Sequence, residues 1–338
     1  MAKLSQPPTL SQRWSAKLDD HTIALAWSTD GSQLAAASVS GPITVFDVAT
    51  GTVAHTLSGH GFGTTAIAWQ PGGKRLASAG QDGKARLWEA GREVVALDAG
   101  AAWVERLAWH PKGTSLVTAA GRKLKLWSGD GELQRSYPDQ SATIAAVQWS
   151  SKGREFVSAG YGGVTFWRPD AEASVNQFEW KGSIVALAWS PDLKYIAGGA
   201  QDSSVHFWTT KTGKDLEMTG YPQKVAQLAW DASSSYLATG GSDVITTWNC
   251  TGKGPAGSAP LTLGDHAGAI SSLAFQNRGP LLASGCDGGI LNLTLPGGSR
   301  KTLGKADLSE GISVLSWAPA DGRLAVGGAE GSVSVWTV

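Results

Sequence analysis

Ala66–Trp88 reads AIAWQPGGKRLASAGQDGKARLW, and its pattern recurs along the whole chain. Ala66-Ile67-Ala68-Trp69 is a short apolar run that ends on an aromatic. Gln70-Pro71-Gly72-Gly73 is a polar turn, and Leu76-Ala77-Ser78-Ala79 is a second apolar run. Gln81-Asp82-Gly83 makes another turn, after which Ala85-Arg86-Leu87-Trp88 alternates toward a second aromatic. Strand-length runs punctuated by Gly, Pro and Asp predict all-β structure. Helical periodicity is weak throughout.

Ala24–Phe46 repeats the pattern as ALAWSTDGSQLAAASVSGPITVF, and Arg106–Trp127 as RLAWHPKGTSLVTAAGRKLKLW. Eight repeats carry anchors at Trp27, Trp69, Trp109, Trp149, Trp189, Trp230, Phe275 and Trp317. These anchors lie 42, 40, 40, 40, 41, 45 and 42 residues apart. A fixed period near 40 marks stacked units, each too small to bury its own apolar face. The third strand ends 18 or 19 residues after each anchor, at Phe46, Trp88, Trp127, Trp167, Trp208, Trp248, Leu293 and Trp336. Together the two series use 13 of the 16 tryptophans, so these rings are assigned to packing between sheets. A fourth strand is expected to end at Leu57, Leu97, Tyr137, Phe178, Met218 and Leu263. Four strands per repeat make a propeller blade.

Gly59-His60, the turn after Trp69, Asp82-Gly83 and Trp88 resemble the motifs of the WD-repeat β-propeller family. The resemblance covers nearly the whole chain. It implies a hydrogen-bonded tetrad of His, Ser or Thr, Asp and Trp in a repeat. Repeat two holds the full set, His60, Ser78, Asp82 and Trp88. Other repeats are partial: Gly220-Tyr221 stands in place of Gly-His in repeat six, Leu293 replaces the Trp in repeat seven, and Glu330 replaces the Asp in repeat eight. Apolar burial is therefore expected to hold most blades together.

The fold expected is all-β, a single propeller of eight four-stranded antiparallel blades. The alternative is seven blades, with repeat seven (about 264–303) outside the count. Residues 1–9 read as a flexible tail and 10–338 as the propeller. The last repeat ends after its third strand, so Arg13–Leu18, with Trp14, Ala16 and Leu18 on one face, is expected to complete it. Thr251–Pro260 reads as a disordered or extended loop.

The 338 residues carry 28 basic and 28 acidic side chains, which argues against an electrostatically driven nucleic-acid binder. No stretch reaches membrane-spanning length, and no signal-peptide pattern opens the sequence. Cys250 and Cys286 lack metal-ligand spacing and read as free thiols of a cytoplasmic protein. Phosphate-loop, zinc-protease and nucleophile-elbow motifs are absent. His21, His60 and His266 lie just before first strands and are expected to bond within their blades.

These readings point to a non-catalytic interaction scaffold, adaptor or assembly subunit. It would need no cofactor or metal, would bind one or more proteins, and would act as a monomeric propeller or within a larger complex. In the resembled family, the loops before first strands and the turns between second and third strands commonly receive a partner. Mapped here, that face carries Phe62, Trp103, Arg122, Tyr161, Trp180 and Tyr221. Aromatics and Arg are the residue types enriched at binding hot spots. Trp103 and Trp180 fall outside both packing series, and a purely structural role in capping the blades stays open for them. The alternative function is a small-ligand or metal site, including an enzyme, in a central channel.

Overall fold

A computed structural model describes residues 8–264, 266–297 and 302–338. Residues 1–7 of the expected tail lie outside the described residues. The chain divides into two compact parts, one of residues 18–187 and one of residues 1–17 with 188–338.

In the 18–187 part, the first sheet has strands Thr22–Trp27, Gln33–Ser38, Ile43–Asp47 and Val53–Leu57. The second has Thr64–Trp69, Leu76–Gly80, Lys84–Glu89 and Arg92–Asp98. The third has Arg106–Trp109, Ser115–Ala120, Lys123–Ser128 and Leu133–Ser136. Each is an antiparallel meander in sequence order, as alternating tight turns require. In the fourth repeat, Ile144–Trp149 precedes two long strands, Phe156–Trp167 and Asn176–Trp189.

The other part holds Gln227–Trp230, Tyr236–Gly240, Ile245–Asn249 and Leu261–Leu263 as one four-stranded sheet. Ile270–Phe275, Leu282–Cys286, Ile290–Thr294 and Gly304–Asp307 form another. Repeat seven is thus a regular four-stranded sheet, and Leu293, fully buried, fills the place of the missing Trp. In the last sheet, Ser11–Lys17 pairs with Ser332–Thr337, followed by Arg323–Gly328 and Ile312–Trp317. The N-terminal strand therefore completes the last blade, with Trp14 opposite Val335 and Ala16 opposite Val333.

Among the described residues the strands form seven sheets, which is the alternative count, and the expectation of eight blades is corrected. Six sheets have four strands. The seventh has six and combines repeats four and five, running from Ile144–Trp149 through Phe156–Trp167, Asn176–Trp189, Tyr195–Ala200 and Val205–Thr209 to Lys214–Met218. The turn chemistry of repeat four explains the fusion. Gly160-Tyr161-Gly162-Gly163 bends so tightly, with φ of 99° and 111° at the last two glycines, that second and third strands run on as one. Tyr161 then pairs with Ser183 and Gly162 with Trp180, which extends the following strand through what is a loop in other repeats.

Apolar contacts join consecutive repeats within each part. Ala35, Ala37, Ile43, Val45 and Leu57 pack on Ile67, Leu76 and Trp88. Ala77, Leu87 and Leu97 pack on Trp109, Leu116 and Trp127. Small residues on one blade leave room for the large rings of the next, as close packing demands. The anchor tryptophans also do something the sequence did not disclose. The indole N–H of Trp69 donates to Ala26 O, that of Trp109 to Ala68 O and that of Trp149 to Ala108 O, each at 3.0 Å. In the other part, Trp230 donates to Ala188 O and Trp317 to Ala274 O. Each buried N–H thus meets the backbone of the preceding repeat, one residue before its anchor, and fixes the register between sheets.

The Thr251–Pro260 stretch is more structured than expected. Gly254 N donates to Thr251 O and Ser258 N to Pro255 O, which makes two successive tight turns with Pro255 buried between them.

Candidate functional site

In the 18–187 part, turns between second and third strands meet the loops that enter their own and the next repeat. Gln81 N donates to Gly63 O, Val104 N to Gly80 O and Gln140 N to Arg122 O. These backbone bonds hold both kinds of loop along one edge of the sheets. The tetrad of repeat two lies just beneath that edge.

His60, Ser78 and Trp88 are buried, while Asp82 reaches the surface. Trp88 Nε1 donates to Ser78 Oγ at 2.8 Å. Ser78 Oγ lies 2.8 Å from His60 Nε2, and His60 Nδ1 lies 2.8 Å from Asp82 Oδ1. Arg86 donates to Asp82 Oδ2 at 2.7 Å. Arg86 Nη1 also lies 2.5 Å from His60 Nδ1. With the Nδ1–H tautomer the chain runs Trp88 N–H to Ser78, Ser78 O–H to Nε2, and Nδ1–H to Asp82. It requires a neutral imidazole. Burial lowers the His60 pKa, against the opposing pull of Asp82. Burial pushes the Asp82 carboxyl upward, but hydrogen bonds from His60 and Arg86 outweigh it, and its pKa falls. Gly59 sets up the turn: it has φ of 63°, and a Cβ there would lie 1.8 Å from Gly41 O. At Gly80, a Cβ would lie 2.1 Å from His60 Cγ, so the imidazole packs on bare glycine.

Asp82→Ala leaves His60 Nδ1–H and one Arg86 N–H without an acceptor, and should cost about 1–3 kcal/mol. Glu330→Ala, at the matching position of repeat eight, should stay within about 0.5 kcal/mol because that side chain is exposed. In repeat eight the turn is held instead by Glu310, which accepts from Glu330 N and lies 3.8 Å from Lys17 Nζ. Chemical denaturation of the two variants checks the contrast, and equal losses would refute it.

Other repeats keep fragments of the network. Trp127 Nε1 donates to Thr118 Oγ1 and Trp167 Nε1 to Ser158 Oγ, each at 2.9 Å. In repeat seven, His266 Nε2 lies 2.9 Å from Ser284 Oγ. In repeat six, a phenol replaces the imidazole. Trp248 Nε1 donates to Tyr221 Oη at 2.9 Å, and Tyr221 Oη lies 2.8 Å from Thr239 Oγ1. Burial raises the Tyr221 pKa, which keeps the hydroxyl protonated. Tyr221 sits nine residues before Trp230, as His60 sits nine before Trp69, and this spacing is the signal that identifies the substitution.

The sequence-predicted partner residues separate accordingly. Phe62, Trp103 and Tyr161 are exposed by 78%, 55% and 62%, and they are the exposed large aromatics among the described residues. Arg122 is exposed too, with its Nε donating to Gln140 O at 2.7 Å. Trp180 is half-buried and paired in the strand opposite Gly162. Tyr221 belongs to the other part and is turned into its blade, where it packs against the cluster around Tyr195 and Phe207.

Among the described residues, no group of three or more His, Cys, Asp and Glu side chains is placed to hold a metal ion. No helix there is long and apolar enough to cross a membrane. Cys250 and Cys286 are free and buried, and burial pushes the Cys250 thiol up to about 12.

A search of curated proteins finds no match. Among solved structures, the chain is similar to the computationally designed Ika8 protein, at 23% identity and a TM-score of 0.81, over 99% of this chain and 100% of that one. At that identity the likeness establishes the fold, a β-propeller. The family model of the IFT122 first β-propeller matches residues 21–294, most of the chain. With its repeats, its blades and one complete tetrad, the chain belongs to the family of the IFT122 first β-propeller, a WD-repeat-like propeller family.

Proposed function

We propose that this chain is a non-catalytic protein-interaction module that takes a partner on the edge bearing Phe62, Trp103, Arg122 and Tyr161. One observation carries the reading: the chain leaves three large aromatics exposed along one edge, although repeat packing requires none of them. Leaving such rings in water forgoes about 1.5–3 kcal/mol of burial for each, so the fold alone gives no reason to place them there. Backbone bonds hold these loops, so little ordering cost remains when a partner docks. Membership in a propeller family of the interaction type supports the same reading. Its role is that of an adaptor or an assembly subunit. Two buried free thiols fit a reducing compartment, and we place the protein in the cytoplasm.

Affinity purification from the native cell, with the wild type beside a Phe62→Ala, Trp103→Ala, Tyr161→Ala triple variant, tests the proposal. The variant should melt as the wild type does and lose its specific partner by tenfold or more. Undiminished recovery of every specific partner by the folded variant would overturn the reading.

A further inference from the structure

Repeat four contains a cavity of about 320 Å³ where repeat two keeps its tetrad. Counting from the anchor tryptophan, Gln140, Ser158 and Gly162 match His60, Ser78 and Asp82; counting back from the third-strand tryptophan, Trp167 and Thr165 match Trp88 and Arg86, the turn of repeat four being one residue shorter, and all five line the cavity. The two ends of the network remain. Trp167 Nε1 still donates to Ser158 Oγ, and Ser158 is buried. The middle is missing. Gln140 turns back on its own loop, with Nε2 donating to Pro138 O at 3.3 Å, and Gly162 has no side chain. A Cβ built on Gly162 would meet nothing within 4 Å. A Cβ on Gly160 would meet the backbone of Thr143, whereas on Gly80 it would strike the imidazole.

Repeat three also lacks the histidine, having Gly100 in its place, but fills the space differently. There Lys125 reaches across Trp127 and donates to Asp98 O, and Lys123 and Lys125 lie 3.1–3.2 Å from the Cβ direction of Gly100. Repeat four has Thr165 where repeat three has Lys125, so no long side chain of its third strand crosses the gap. The Ser158 hydroxyl accepts from Trp167, and its proton, which in repeat two goes to His60 Nε2, has no acceptor among the described residues. The cavity opens beside Tyr161, on the edge assigned to partner binding.

We propose that this cavity is a recognition pocket for one neutral imidazole, supplied by a histidine side chain of the protein partner. The ring enters beside Tyr161 and accepts the Ser158 proton through its unprotonated nitrogen, in the cavity left between Ser158, Gly162 and Thr165 and beside the Thr143 backbone that covers Gly160. The pocket thus rebuilds, between two molecules, the Trp–Ser–His chain that repeat two builds within one. It rests on the reading of this edge as partner-binding, but its test needs no partner.

The probe is free imidazole, titrated at pH 8 into the full chain, with the Trp167 indole N–H resonance as reporter. A saturable shift is expected, with a dissociation constant on the order of millimolar for so small a ligand. Pyrrole has the same size but no acceptor nitrogen and should not produce it. At pH 5 the shift should vanish, because imidazolium cannot accept the Ser158 proton. Ser158→Ala should weaken binding at least tenfold. Gln140→His, which offers the chain's own imidazole to the same space, should block binding and keeps the test open if Ser158→Ala fails to fold. Gly-His-Gly should compete with imidazole and Gly-Ala-Gly should not. A non-saturating titration, equal binding of pyrrole, or binding by Gln140→His equal to that of the wild type would overturn the pocket. Failure of Gly-His-Gly to compete would overturn its assignment to a partner's histidine. None of these outcomes bears on the exposed aromatics, which stand or fall by partner recovery.

Discussion

Removing residues 1–17 should destabilise the last blade severely, by on the order of 3–6 kcal/mol from lost strand pairing, and should promote aggregation. Ser11–Lys17 is the outer strand of that sheet, paired with Ser332–Thr337 from Ser11 opposite Thr337 to Lys17 opposite Ser332. Without it, the backbone groups of Ser332–Thr337 become an open edge ready to pair with another chain. Leu10, which packs on the cluster around Leu293 and Trp317, would go too. Removing residues 1–9 keeps Leu10 and the whole strand and should melt close to the full chain. The comparison is a thermal melt of three proteins with light scattering. A truncation at 17 that melts with the full chain would show that the pairing contributes nothing.

Trp88→Ala and Trp103→Ala should behave in opposite ways, though the chemical change is identical. Trp88 is 4% exposed, packs between the first two repeats, and holds Ser78 through its indole N–H. Its truncation removes a large ring from a close-packed seam and strips Ser78 of its donor, so about 3–5 kcal/mol should be lost. Trp103 is 55% exposed on a loop and should cost no more than about 0.5 kcal/mol. Urea denaturation of both variants decides between the two roles. A large loss at Trp103 would make it a packing residue and remove it from the interaction edge.

The division between these tryptophans was legible in the sequence, because Trp88 falls in the repeat's period and Trp103 does not. Periodicity reports burial well, since each repeat must present its apolar face at the same phase. It also revealed the N-terminal strand, from a repeat that ends one strand short and a segment that alternates. What it could not report depends on how far a side chain reaches. Tyr221 falls on the partner-facing loops by position, yet its ring is long enough to take the histidine's place and bond Trp248 and Thr239. Turn tightness was equally hidden. Gly160–Gly163 differs from other turns by little in sequence, yet it fuses two repeats into one sheet. An emptied tetrad is harder still to see, because small residues at Gly162 and Thr165 look ordinary until the space between them is measured. The indole bonds between repeats depend on the relative height of neighbouring sheets, about which a one-dimensional pattern is silent.

The most direct test of the interaction edge is site-specific photo-crosslinking in the native cell. A photoreactive phenylalanine analogue would replace Phe62, Trp103 or Tyr161 in turn, and, as controls, Val53 or Leu133, exposed side chains that begin fourth strands at the far ends of the same sheets. The three edge positions should give adducts to one common partner, and the two control positions should not. Adducts to that partner from Val53 or Leu133, with none from the aromatic edge, would contradict the proposed function.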